Sequence, residues 1–173
     1  CSRLGYCGLS DFNSIFNSSN SCPIAGLKII FCVVTVRRCS TSAMRIAILS
    51  AVHSNLTGLR AVLRDAEADS TIDAVWCLGD IVGYAAAPSQ TIAELRARPL
   101  VAVAGNHDLA ATRLMGVDEF NPVAAAAALW TADQLSASER AFLADLPLTL
   151  VLGDPDGRRG FTLVHGSLRE PVW

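Results

Sequence analysis

Short apolar runs that each end in a polar motif and are then followed by an amphipathic segment constrain this chain more than any other feature. Residues 45–49 form a β-prone run that stops at the polar stretch 50–55. Leu56, Leu59, Val62, Leu63 and Ala66 then recur at helical spacing, with Arg60, Arg64, Asp65 and Glu67 on the other face and Asn55 placed as N-cap. The unit repeats: 72–78 reads as a buried strand, 79–87 as a loop, and 88–96 as a helix with Pro88 in its first turn. A third strand is expected at 100–104. This alternation predicts an α/β fold with a parallel sheet, in which the loops after the strand ends converge on one edge.

Further along, 121–135 is Ala-rich and helical, and Ser136 opens a helix over 138–146 that Pro147 closes. Residues 148–152 and 161–165 flank Gly153-Asp154-Pro155-Asp156-Gly157, a connector suited to a hairpin. With 173 residues, 51% of them hydrophobic, the chain is long enough to bury one domain core. A formal charge of −2 gives no basic field for nucleic acid, and no Lys/Arg run suggests a membrane surface. An anionic substrate would need local positive charge, such as a metal ion.

The cysteines divide the chain: Cys1, Cys7, Cys22, Cys32 and Cys39 precede Met44, and only Cys77 follows it. Residues 1–43 read as an atypical leader, disordered or outside the native protein, and 44–173 as the N-terminal part of a domain. Disulfides in the leader are left open, because no Cys-x-x-Cys pair or other signal supports them. Its apolar stretch 24–36 is too short to span a bilayer as a helix, and Arg37 and Arg38 follow that stretch where a signal peptide carries its charges in front. A cytoplasmic location is expected.

Each of the three histidines, His53, His107 and His165, falls in a loop or at a strand end beside another polar group. A single histidine is more often a core or surface residue than a ligand, but a shared position after predicted strands raises all three together. Gly79-Asp80 follows the second strand and Gly105-Asn106-His107-Asp108 the third, so a carboxylate, an amide oxygen and imidazoles could meet in one cleft. Gly-Asp alone is an ordinary turn. The four-residue motif has no packing reason to interrupt an apolar sheet, and oxygen and nitrogen ligands suit Mn, Fe or Zn.

Residues 44–50, Val52-His53-Ser54-Asn55, Gly79-Asp80-Ile81-Val82-Gly83-Tyr84, Gly105-Asn106-His107-Asp108 and Val164-His165-Gly166-Ser167 occur in an order that resembles the calcineurin-like metallophosphoesterases. The resemblance runs over 44–173 and is to the small bacterial phosphodiesterase branch with a Ser-Asp-x-His-x-Asn start. It implies an α/β/β/α sandwich, incomplete here at the C-terminus. It also implies that Asp80 bridges two metals, that His53 binds the first, and that Asn106 and His165 bind the second. His107 would be catalytic at the leaving group, and Asp108 would orient its ring through a hydrogen bond. In such a family two divalent ions about 3.5–4 Å apart clamp the phosphate and lower the pKa of a bridging water toward about 7. Manganese is the first choice of ion, with Fe, Zn or Ni as alternatives. The implied partner is a small phosphate ester, a diester before a monoester, with no nucleic acid and no membrane; oligomeric state is not readable.

Two departures stand out. The family begins its first motif with Asp where this chain has Ala51, and its Gly-His-x-His motif does not occur before Trp173. The first ion would keep only His53 and Asp80, the second Asp80, Asn106 and His165. An impaired two-metal hydrolase, cut short at its C-terminus, is therefore expected. The competing expectation is a catalytically inactive protein-binding scaffold on the same fold.

Overall fold

The computed structural model describes residues 30–37, 43–68, 71–153 and 160–173, with side chains from Arg45 onward. Its main sheet has the order β1 (Ile30–Arg37), β2 (Ala43–Ser50), β3 (Ala74–Cys77), β4 (Leu100–Ala102). As the repeated strand and helix units require, β2, β3 and β4 run parallel, with Ile46 opposite Ala74 and Val75 opposite Leu100. Strand β1 pairs antiparallel with β2, from Ile30 opposite Ser50 to Arg37 opposite Ala43. Part of the stretch read as a leader thus lies in the sheet. Residues 1–29 and 38–42 lie outside the described residues, and with them any leader disulfide among Cys1, Cys7, Cys22 and Cys39.

Alternation along the strands divides the core in two. Ala47, Leu49, Val75 and Cys77 face one side and pack with Leu59 and Leu63 of α1 (Leu56–Glu67) and Ile92 and Leu95 of α2 (Pro88–Arg96). Ile46, Ile48, Trp76 and Val101 face the other side. There they meet Leu150, Leu152 and Leu163 of a second sheet, an antiparallel pair formed by β5 (Thr149–Gly153) and β6 (Gly160–Val164). Trp76 and Phe161 meet edge to face across this interface, with centroids 5.2 Å apart. Leu49, Leu63, Val75, Ile92 and Leu95 are at most 1% exposed, each such burial stabilising by about 1.5–3 kcal/mol. The result is helix, sheet, sheet layering, the part of the expected sandwich that these residues build.

Helix starts follow the local signals. The Asn55 side chain accepts from Gly58 N at 2.9 Å at the head of α1. Asn121 accepts from Val123 N and Ala124 N ahead of α4 (Pro122–Gln134), and Ser136 with Glu139 forms a capping box on α5 (Ala137–Ala144). Two expectations need correction. Residues 105–108, read as a loop, open a short helix, α3 (Asn106–Ala111), because Asp108 at its third position accepts from Gly105 N at 3.0 Å. The second and third strands are shorter than 72–78 and 100–104, and past the third Ala104 N turns away to bond Pro147 O at 2.9 Å. The expected hairpin is present, and its connector 154–157 lies outside the described residues.

Candidate metal centre

The loops after β2 and β3 are laced together by backbone bonds: Ala51 N to Gly79 O at 3.2 Å, His53 N to Asp80 O at 2.9 Å and Ser54 N to Ile81 O at 2.9 Å. Holding them there demands left-handed backbone at Ala51, His53, Ser54, Asp80 and Tyr84, with φ between 44° and 59°. Each such residue costs on the order of 1 kcal/mol, a strain that collects at functional sites. Gly79, at φ 85°, relieves one such position, and a Cβ there would lie 2.6 Å from Gly105 N and 2.9 Å from His165 Nδ1.

Asp80, 4% exposed, sits at the centre. Its Oδ1 accepts from His107 N at 2.9 Å. Its Oδ2 faces His53 Nε2 at 3.5 Å and His165 Nε2 at 3.4 Å. The other ring nitrogens meet carbonyls, His53 Nδ1 with Val82 O at 3.3 Å and His165 Nδ1 with Leu78 O at 2.7 Å. A carbonyl can only accept, so each Nδ1 carries the proton, and a neutral ring then turns the Nε2 lone pair toward the carboxylate. The amide end of Asn106 nearest this group lies 3.2 Å from both Asp80 oxygens and 3.3 Å from His165 Nε2. With nitrogen at that end the amide donates into the cluster; with oxygen there, another lone pair joins it. Lone pairs aimed at one another around a carboxylate suit a cation between them, and backbone carbonyls fixing the imidazoles are what metal-ligating histidines use. The donor set fits a divalent ion.

His107 lies in the same cluster: His53, Asp80 and His107 each offer a ligand atom, all within 4.8 Å of one another. Its ring packs edge to face on His53 at 4.7 Å and on Phe120 at 5.0 Å, and tilted against Tyr84 at 4.7 Å. The expected hydrogen bond from Asp108 to this ring is absent. Asp108 spends its Oδ1 on Val82 N and its Oδ2 on Gly105 N, both at 3.0 Å, and His107 Nδ1 finds no partner among the described residues. Asp108 therefore ties the β3 loop to the head of α3, and ring packing orients His107. Gly83, at φ 105°, makes room for that ring, since a Cβ there would press on Nδ1 and Cγ. Sequence reasoning named Gly83 only as part of the motif from Gly79 to Tyr84 and did not single out Phe120. The only hint for Gly83 was a glycine three residues beyond Asp80.

Charge follows from this burial. Burial lowers the pKa of His53 more than Asp80 raises it, and burial, with His53 and His165 nearby, takes His107 down to about 4. Burial works against the carboxylate of Asp80, but His165 first, then His53 and His107, outweigh it once their rings are protonated and hold its pKa low. His165 moves oppositely, because Asp80 more than offsets the burial that would lower it. Burial and the charge of Asp80 push Asp108 up to about 7.

A buried carboxylate between imidazoles, at the loop edge of a parallel sheet backed by a second sheet, makes a candidate metal-binding centre. The calcineurin-like phosphoesterase superfamily domain matches residues 44–171, and the chain belongs to that superfamily. An uncharacterized protein of Methanocaldococcus jannaschii is 40% identical over 105 residues, which cover 61% of this chain and 43% of that relative. A crystal structure of a metallophosphoesterase from Sphaerobacter thermophilus aligns with TM-score 0.61 at 45% identity, covering 76% of this chain and 51% of that one. A Pyrococcus horikoshii structure, described as a hypothetical protein, shares the fold with TM-score 0.60 at 24% identity, over 73% of this chain and 56% of its own. The chain thus spans about half the length of the relatives it matches. No helix among the described residues is long and apolar enough to cross a membrane.

Proposed function

We propose that residues 44–173 are the N-terminal part of a metal-dependent phosphoesterase domain that hydrolyses a small phosphate ester, with diester before monoester as the resemblance suggests. The observation that carries the reading is Asp80 Oδ2 lying between the Nε2 atoms of His53 and His165 at 3.5 and 3.4 Å. In this reading Asp80 would be shared by both ions, His53 would help hold one, and Asn106 with His165 would help hold the other. Such ions, manganese by preference, would supply positive charge against the phosphate and the means of making hydroxide near neutral pH. The chain's own residues hold the geometry: Val82 and Leu78 carbonyls fix the imidazoles, and Asp108 locks the β3 loop to α3. His107, with its pKa near 4, is neutral at pH 7 and serves the departing oxygen as an N–H hydrogen-bond donor.

Ala51 impairs the first ion's site in this reading. Its φ of 53° is a left-handed conformation in which Asp and Asn are enriched and alanine is strained. The backbone is thus already shaped for the carboxylate the motif lacks. The same residue favours the second reading, an inactive protein-binding scaffold. Manganese titration followed by electron paramagnetic resonance, together with hydrolysis of a chromogenic phosphodiester, separates the two. Asp80→Asn should abolish binding, and Ala51→Asp should tighten it about tenfold or more and raise turnover. Binding indifferent to Asp80→Asn would sink the metal centre; tighter binding by Ala51→Asp with no turnover even when a Gly-His-x-His segment is supplied after residue 173 would favour the scaffold.

A further inference from the structure

We propose that Tyr84 and Phe120, both packed on the His107 ring, form a stacking wall that selects phosphate esters whose leaving group is a planar ring carrying no negative charge. The inference rests on the phosphate-site reading above and adds the substrate class. Tyr84 combines a backbone conformation that bulky residues rarely adopt, φ 44°, with 40% exposure of the residue. Core packing therefore does not explain its placement. What the strained turn achieves is to bring the Tyr84 ring within 4.9 Å of His53 and 4.7 Å of His107, at the mouth of the cluster.

Phe120 continues the surface outward. Its ring meets His107 edge to face at 5.0 Å and Trp173, which is 48% exposed, edge to face at 5.5 Å, so a row of aromatic rings leads from the imidazoles to solvent. Trp173 also lines a cavity of about 260 Å³, together with Met115, Gly116, Asp118 and Glu119. That is close to the lower end of small-molecule sites, roughly 300 Å³. Its lining carries two carboxylates and no basic side chain. A second phosphate or another anionic tail would be repelled there, whereas a neutral or amino-bearing ring would stack on the aromatic faces and donate to the carboxylates. Aryl and nucleoside leaving groups have this chemistry; polyphosphate tails do not.

The test uses the full chain with manganese and ligands that cannot be hydrolysed, followed by isothermal titration: inorganic phosphate, methylphosphonate, phenylphosphonate and a carboxylated phenylphosphonate. Stacking of this kind should make phenylphosphonate bind on the order of 10-fold tighter than methylphosphonate. The advantage should fall to about 2-fold in Phe120→Leu and in Tyr84→Leu and persist in Phe120→Tyr, each ratio being taken against the same variant's methylphosphonate affinity so that any shift of the His107 ring cancels. The carboxylated ring should lose most of the advantage. Equal binding of the two phosphonates, or an advantage that survives both Leu variants, overturns the wall while leaving the phosphate site standing. Failure of phosphate itself to bind the manganese-loaded chain refutes the phosphate-site reading and this inference together.

Discussion

Gly105→Ala is the sharpest probe of how the centre is held. A Cβ at Gly105 would fall on Asp80 Oδ1 and on the Asp80 backbone nitrogen, with Asp80 Cγ only 2.9 Å away. Neither can yield cheaply: Asp80 is 4% exposed, and its Oδ1 accepts from His107 N at 2.9 Å. Moving the carboxylate loses that charged hydrogen bond, about 1.5–3 kcal/mol. Moving α3 instead strains a packed core, about 1–3 kcal/mol. One displacement relieves the other, so the two do not add, and a loss of about 1–3 kcal/mol follows. At about 2–4 °C per kcal/mol for a chain of this size, the melting temperature should fall by roughly 2–12 °C. Gly116→Ala is the control, because its Cβ would meet only the flexible end of Asp118, at 3.1 Å. Circular dichroism melts, paired with manganese titrations, read both consequences. If Gly105→Ala melts with the parent protein and binds manganese as well, the proposed contact between α3 and the Asp80 carboxylate is wrong.

Other expectations are smaller. Glu94 bonds Arg60 Nε at 2.8 Å and Arg98 Nη1 at 2.9 Å, which hold its pKa below the ordinary value. Its contribution should be complete above the unfolded pKa of about 4.3 and disappear as pH falls through the lower folded value. Glu94→Gln should therefore lose about 0.5–1 kcal/mol in urea unfolding at pH 7, with the gap closing toward pH 3; an unchanged gap would contradict the pairing. Arg140 donates to Ala111 O at 3.1 Å and Ala132 O at 2.6 Å, joining the last turn of α3 to α4. Arg140→Met should cost about 2–3 kcal/mol in the same assay, and a loss under 0.5 kcal/mol would show that solvent replaces the guanidinium.

The order of strand, polar motif and helix was legible because periodicity and capping are local. Leu59, Leu63 and Ala66 recur on one face of α1, and Asn55 stands ready to cap it, whatever the rest of the chain does. Pairing partners were not legible in that way. Nothing near residues 30–37 announces that they join β2, because strand pairing is a contact between segments distant along the chain. The four residues 105–108 read as a loop because their helix, α3, is short and amphipathic periodicity needs more turns to appear.

The sequence by itself determined which side chains bring chemistry: His53, Asp80, Asn106, His107 and His165 are donors of metal-ligand type wherever they lie. Tertiary structure decided their lone pairs and charges. Distant carbonyls, Val82 for His53 and Leu78 for His165, fix which ring nitrogen carries hydrogen, and the backbone amides of Val82 and Gly105 take Asp108 away from His107. Those choices depend on distances of about 3 Å between residues that are up to 87 positions apart, and no pattern of neighbours along a chain encodes such a distance.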